Sequence, residues 1–287
     1  RSTPSRSSAA SDVYKRTDRT AIAMKHAGLD VPGIIDARLA AGPLASEAEA
    51  LGIRILYGKA ISSVHGGKRV TGVAICSQAG EGGGVLEDID CDVVAMSGGW
   101  SPVVHLWSHC GGKLIWDEVQ SHFRPDPSRP PLGADGKGFV STAGIANGVM
   151  TTHDCLVNGH DAGSAAAKLA GASGKTGKSS RGDAPKEVAL MPVWIMPQGA
   201  GYKLRSKMWL DFQNDVKVSD VQLAAQEGYE SVEHTKRYTT LGMATDQGKL
   251  SNINGLAVLS DALGQAIPAT GTTTFRPPYT PISLGSI

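Results

Sequence analysis

Residues 31–57, VPGIIDARLAAGPLASEAEALGIRILY, decide how this chain is read. Val31 to Asp36 is a short apolar run ending in an acid, the look of a strand. Pro43 to Leu51 is rich in Ala and Glu and reads as a helix, with Gly52 as its stop. Ile53 to Tyr57 is again apolar and short, a second strand. Before this stretch, Ala21 to Met24 lie in a helix that Thr17 or Asp18 can cap and Gly28 can close. The order α, β, α, β is that of a nucleotide-binding α/β domain.

From Ala60 the texture changes. Ile61–Val64, Arg69–Cys76 and Val85–Ile89 are short alternating segments split by Gly66-Gly67 and Gly82-Gly83-Gly84, a β-meander. Asp92 to Met96 runs without a break into Ser97-Gly98-Gly99 and predicts a buried parallel strand. Val103–Cys110 then reads as a helix, Phe139–Ala143 as a strand and Thr151–Leu169 as a long helix. Gly171 to Pro185 is a Gly/Ser/Lys linker. Beyond it a smaller unit is expected from about Pro192, with helices at Ser219–Gln226, Val232–Thr239 and Ile253–Leu263. Ser219 and Gln222 have capping-box spacing, and Gly264 follows the last helix.

The expected division is a disordered start over 1–12, a nucleotide-binding (NAD-type) domain over 13–97 and a return segment of a first FAD/NAD-type domain over 98–170. A linker over 171–191, a small helical module over 192–265 and a Pro-rich extended connector over 266–287 complete it. The fold class is α/β, resembling two-dinucleotide-domain flavoproteins, followed by a mostly helical module. Its opening on Arg1 rather than Met predicts further residues upstream.

Composition excludes several classes. With 287 residues, 41% of them hydrophobic, the chain is long enough for two cored units. Twenty-eight basic residues against 27 acidic ones argue against nucleic acid or an anionic membrane as a main partner. No apolar run reaches the roughly 18 residues that span a bilayer. Cys76, Cys91, Cys110 and Cys155 form no CxxC, which excludes a disulfide reductase. They read as buried structural thiols in a reducing cytoplasm.

Asp36 is the first candidate for chemistry. A dinucleotide-binding unit puts an acid at the end of its second strand, about 20 residues past the first turn, to accept the ribose hydroxyls. The alternative is a solvated strand-end acid. The turn at Tyr14–Asp18 has none of the glycines of GxGxxG, so a diphosphate there would rely on the helix N-terminus with Lys15 or Arg16 as counter-charge. Gly98, Gly99 and Trp100 follow the expected buried strand, and Gly144, Asn147 and Gly148 join a strand to a helix. Both sets allow close approach to a cofactor, or serve only as tight turns. His105, His109, His153 and His160 are scattered, and no carboxylate pair, Ser/His/Asp set or metal-ligand cluster stands out.

Long runs in the sequence resemble the alpha subunits of heterotetrameric sarcosine oxidases. They are DVVAMSGGWSPVVHL at 92–106, NGVMTTHDCL at 147–156, WLDFQNDV at 209–216, SVEHTKRYTTLGMATDQGK at 231–249 and GTTTFRPPYTP at 271–281. The resemblance implies an internal piece of such a subunit. It would lack the N-terminal nucleotide-binding loop and the C-terminal aminomethyltransferase-like domain. It implies oxidative demethylation of sarcosine to glycine, with oxygen reduced to peroxide and the one-carbon unit released as formaldehyde or passed to tetrahydrofolate. NAD would sit in the alpha subunit, FAD and FMN at or across from the beta subunit, and beta, gamma and delta subunits would be its partners. The piece alone would carry no bond-breaking residue. The alternatives are an alpha-type subunit of another amino-acid or opine oxidoreductase, or a non-catalytic scaffold.

Related dehydrogenase subunits carry a small iron–sulphur module held by four cysteines. Laid on this sequence, the four positions are Asp211, Gln213, Asp246 and Ser251, so the resemblance implies a module that keeps its fold without a cluster.

Overall fold

The computed structural model describes residues 13–79, 84–174, 177, 191–275 and 283–286. The expected disordered start, the Gly82-Gly83 turn, most of the linker and the proline run of the connector lie outside the described residues, as do the side chains of Lys15 and Arg16.

Helix α1 (Val13–His26), strand β1 (Ile34–Asp36), helix α2 (Ala45–Ala50) and strand β2 (Ile55–Tyr57) reproduce the expected order. β1 and β2 pair in parallel with Asp36 opposite Tyr57, so both strands finish at one edge. The core between them is small: Ala21 and Ile22 of α1, Val31, Ile34, Ala48 of α2 and Ile53. Such helix-over-strand packing follows from the apolar side of α1 lying over the short strands. Asp18 falls inside α1 rather than at its cap, because the helix begins at Val13.

The meander follows as expected. β3 (Lys59–Gly66), β4 (Val70–Ser77) and β5 (Glu87–Asp90) form an antiparallel sheet in that order. β4 is its most buried strand, with residues 72–76 all inside.

Two expected strands are absent. Residues 92–96 form no ladder, and Val93 and Met96 are 66% and 51% exposed. Residues 139–143 likewise pair with nothing, and the nearby isolated bridge joins Leu132 to Gly138. Apolarity marks a segment that can enter a sheet, but a strand also needs a free neighbouring edge. Among the described residues these two segments pair with no such edge.

The chain continues through α3 (His105–His109) into a hairpin, β6 (Leu114–Asp117) with β7 (His122–Pro125), which the sequence reading missed. Trp116 and Phe123 are cross-strand partners with ring centroids 5.0 Å apart. α4 (Thr152–Leu169) is the expected long helix. The four cysteines form no disulfide, but only Cys76 is buried, and Cys110 is exposed at the C-cap of α3.

The second unit contains α5 (Tyr202–Arg205), β8 (Trp209–Asp211), β9 (Val216–Lys217), α6 (Val218–Gln226), α7 (Val232–Thr239), α8 (Asn252–Leu263) and α9 (Ile267–Thr270). Its core joins Met208, Leu210, Val218, Val221, Val258 and Leu259 to neighbouring apolar residues, and Phe123 of β7 packs against it. The cap of α6 sits two residues earlier than expected: Asp220 Oδ2 accepts the Lys217 N–H at 2.9 Å. Gly264, at φ 62°, closes α8 as expected. The start of the expected extended connector is instead α9, followed by buried Thr273 and Phe275.

Leu259 lies at the centre of the second core and is fully buried. Leu259→Ala is expected to lower unfolding free energy by about 2–5 kcal/mol, measured as a shift in urea midpoint at constant slope. Leu250→Ala, at an exposed site, should stay within about 0.5 kcal/mol.

Candidate functional site

The edge where β1 and β2 end holds the most concentrated polar chemistry in the first unit. Asp36 closes β1, and Arg38 stands two residues on. Arg38 Nε reaches both carboxylate oxygens, Oδ1 at 2.8 Å and Oδ2 at 3.1 Å, and its Nη2 reaches Oδ2 at 2.5 Å. The Arg38 backbone N–H adds a further bond to Oδ1 at 2.9 Å. Both side chains are almost wholly buried. A forked, doubly bonded pair offsets the desolvation of two charges in a way that a single contact does not. The Arg38 carbonyl accepts the Gly58 N–H at 2.8 Å, tying the exits of the two strands together.

Two more polar groups, Asp18 and Tyr57, collect there. Asp18, on the second turn of α1, is 2% exposed and its Oδ2 has no hydrogen-bond partner. Burial pushes its carboxyl above the usual range; the Arg38 charge opposes that and the Asp36 charge adds to it. The Tyr57 hydroxyl, across from Asp36, is buried and unpartnered, and burial raises its titration too. Thr17 Oγ1, one residue earlier on α1, is also unpartnered. Buried polar atoms are normally paired, and these unpartnered ones make the edge the candidate site. The sequence reading found Asp36 but missed Arg38, Asp18 and Tyr57. An Arg two residues after a strand-end Asp was the available signal.

The glycine-bearing turns are already engaged by the chain itself. Gly99 has φ 88°, and Trp100 is half-exposed. Gly98 precedes them in a stretch without regular structure. The Gly144 N–H donates to Asn158 Oδ1 at 2.8 Å, and Asn147 Oδ1 accepts from the Thr142 hydroxyl. Gly148, at φ 83°, runs so close to Arg124 that a Cβ would lie 3.0 Å from Arg124 Cδ and 3.3 Å from His122 Nε2. The N-terminus of α4 is closed by its own residues: Thr151 Oγ1 accepts the Asp154 N–H and its hydroxyl donates to Asp154 Oδ2.

His122 is a further residue that sequence reasoning missed. It is almost fully buried, and neither ring nitrogen has a hydrogen-bond partner. Burial pulls its titration down to about 4. His105 is similarly lowered by burial to about 4, with its ring 3.9 Å from that of Phe275 and its Nε2 3.4 Å from the Gln247 carbonyl oxygen. It lines a cavity of about 60 Å³ between residues 101–105 and the second unit, with Phe123, Lys249, Asn252 and Phe275. His109 lies on the same helix, 6.4 Å from His105 between ring centroids. His153 and His160, on α4, stand apart beside Asp154 and Asp161.

In the second unit, three of the four positions read as former cluster ligands are brought together by hydrogen bonds. Asp211 Oδ1 accepts from the Gln213 and Asn214 N–H groups, and its Oδ2 accepts from the Gly242 N–H at 2.8 Å. Gln213 Oε1 accepts from Thr245 Oγ1 and the Asp246 N–H. Ser251 is buried at the N-cap of α8. Among the described residues no group of three or more His, Cys, Asp or Glu could hold a metal ion, and no helix is long and apolar enough to cross a membrane.

The Sarcosine oxidase A3 domain family matches residues 205–287. The sarcosine oxidase alpha subunit of Rhizobium meliloti (strain 1021) is 36% identical over 265 residues, covering 92% of this chain and 25% of the relative. That of Corynebacterium sp. (strain P-1) is 35% identical over 263 residues, covering 90% and 26%. The chain thus spans about a quarter of the length of these curated relatives. The crystal structure of L-proline dehydrogenase from P. horikoshii superposes with a TM-score of 0.61 at 18% identity, covering 89% of this chain and 49% of that one. This likeness bears out the α/β fold class.

The two buried histidines make stability acid-sensitive. Between about pH 6.5 and 4 the unfolded chain takes up protons that the buried rings refuse, so stability falls as pH drops through that window. His122→Gln is expected to flatten the loss by on the order of 2 kcal/mol, measured as urea unfolding free energy at pH 7 and pH 4.5. An unchanged pH slope in the variant would mean that His122 is not held neutral.

Proposed function

We propose that this chain, which belongs by sequence to the sarcosine oxidase alpha subunits and spans about a quarter of their length, supplies the nucleotide-binding part of an amine-oxidising complex. The observation that carries the reading is the parallel β1–β2 pair, with the Asp36–Arg38 clamp and the orphaned Asp18 and Tyr57 atoms at its carboxyl edge. Ligands of open α/β sheets bind at that edge.

The guest is NAD. Its ribose suits the orphaned hydroxyl and carboxyl atoms, and the first turn of α1 carries no acid to repel a diphosphate. The turns at Gly98–Trp100 and Gly144–Gly148, Asn147 included, are proposed as further walls of the cofactor pocket. The small module carries no iron–sulphur cluster in this reading: Asp211, Gln213 and Asp246 join its loops by hydrogen bonds where thiolates would otherwise meet iron.

The complete reaction takes sarcosine, oxygen and water to glycine, formaldehyde and hydrogen peroxide, with tetrahydrofolate as an alternative one-carbon acceptor. FAD and FMN, held at or across from a beta subunit, supply the oxidation when bound. Beta, gamma and delta subunits complete the assembly, and this chain contributes nucleotide binding and docking surface rather than bond-breaking residues. Four cysteines without a disulfide suit a cytoplasmic setting.

The test is to purify the protein at its full natural length with its companion subunits. Bound nucleotide, iron content and sarcosine-dependent peroxide are then measured. NAD near one per alpha subunit, iron well below stoichiometry and peroxide with sarcosine are expected. A complex without nucleotide that ignores sarcosine would overturn the reading in favour of a scaffold or another amine substrate.

A further inference from the structure

The groups able to meet a ribose at the carboxyl edge are not those that strand position alone selects. Asp36 occupies the expected place, yet Oδ1 already receives the Arg38 N–H and Nε, and Oδ2 receives Nε and Nη2. A carboxylate offers about four lone-pair sites, so its capacity is used within the chain. Asp18 Oδ2, the Tyr57 hydroxyl and Thr17 Oγ1 are buried without partners. Asp18 lies on the N-terminal half of α1, and Tyr57 is the last residue of β2, in register with Asp36. The two are close enough that the Asp18 charge acts on the Tyr57 hydroxyl, as do Glu49, Asp36 and Arg38.

We infer that Asp18 and Tyr57, rather than Asp36, take the ribose hydroxyls of the bound nucleotide and select an unphosphorylated ribose. This rests on the nucleotide-binding reading above. A vicinal diol has two donors and two acceptor oxygens, which match a carboxyl acceptor and a phenol that both donates and accepts. The Asp36–Arg38 pair is the neutral floor beneath them. Among the described side chains the Arg38 guanidinium is paired with Asp36, and Asp18 and Glu49 add acidic charge near Tyr57. A phosphate on the ribose would bring about −1.5 to −2 further charge into a buried place beside Asp18 and Asp36. Like charge in a desolvated position is a strong rejection. Arg38 cannot turn to such a phosphate without uncovering Asp36.

The experiment uses the protein at full natural length, with NAD and NADP as probes, and compares the wild type with Asp18→Asn and Tyr57→Phe by equilibrium binding. Tyr57→Phe deletes an unpaired buried hydroxyl and Asp18→Asn replaces a buried acid by a neutral isostere, so thermal unfolding midpoints should hold or rise. NAD binding is expected to weaken at least tenfold in each variant. In Asp18→Asn the preference for NAD over NADP should also shrink at least fivefold, a change that mere loss of packing would not produce. Wild-type affinity for NAD, with unchanged preference, in both variants would overturn the inference while leaving the nucleotide-binding reading intact. If the wild type bound neither nucleotide, that broader reading would fall and this inference with it.

Discussion

The buried pair of Asp36 and Arg38 is the constraint from which the rest of the first unit hangs. Two charges withdrawn from water are tolerable only when each is held by several bonds, and here four donor contacts from one arginine converge on one carboxylate. Removing either partner would leave a buried charge and cost about 3–5 kcal/mol. The pair also begins a relay. The Arg38 carbonyl holds Gly58, the Gly58 carbonyl holds the Gln78 N–H, and Gln78 bonds both Ile195 and Gln198 of the second unit. The edge of the parallel pair, the first and second meander strands and the start of the helical module are thus joined by consecutive hydrogen bonds.

In the second unit Asp211 has the corresponding role at lower electrostatic stakes. Its two oxygens accept three backbone N–H groups, one of them from Gly242 on a distant loop. Gln213 reaches the next part of the same loop through Asp246 and Thr245. Asn252 then fills the space that Gly242 and Gly248 leave open: a Cβ on either would lie within 2.2 Å of its Oδ1. Both glycines have positive φ, so backbone conformation and lack of side chain are required together. Loops of this kind need a central tie, and a carboxylate with three amide donors is sufficient for one.

Much of this was legible locally. The order of α1, β1, α2 and β2 follows from short apolar runs set between helical stretches. α4, α6, α7 and α8 follow from periodicity with caps and stops such as Thr151 and Gly264. The failures have a common cause. Residues 92–96 read as a strand because they are apolar, but a ladder is a relation between segments, and composition records only one side of it. The β6–β7 hairpin was missed for the converse reason: Trp116 and Phe123 declare themselves only once paired. The candidate site behaves the same way. Asp36 was found from strand position, whereas Asp18, Arg38 and Tyr57 come from a helix, a turn and a second strand that meet only in the fold.

Orphaned polar atoms distinguish this edge from an ordinary capped turn. A buried carboxyl or hydroxyl without a partner destabilises by roughly 1–3 kcal/mol, and apolar side chains would relieve Asp18 and Tyr57 at once. Other orphans cluster elsewhere, at Ser251, Asn252 and Asn254 around the start of α8, where Asn252 Nδ2 already donates to the Thr273 hydroxyl at 2.9 Å. At the carboxyl edge the strands have ended, and no further backbone of β1 or β2 is available to satisfy the groups. The polarity there exceeds what the fold needs to hold itself together. Local rules of burial are expected to fail where a site is kept ready for something else, and the ends of β1 and β2 are the place in this chain where that expectation and the topology coincide.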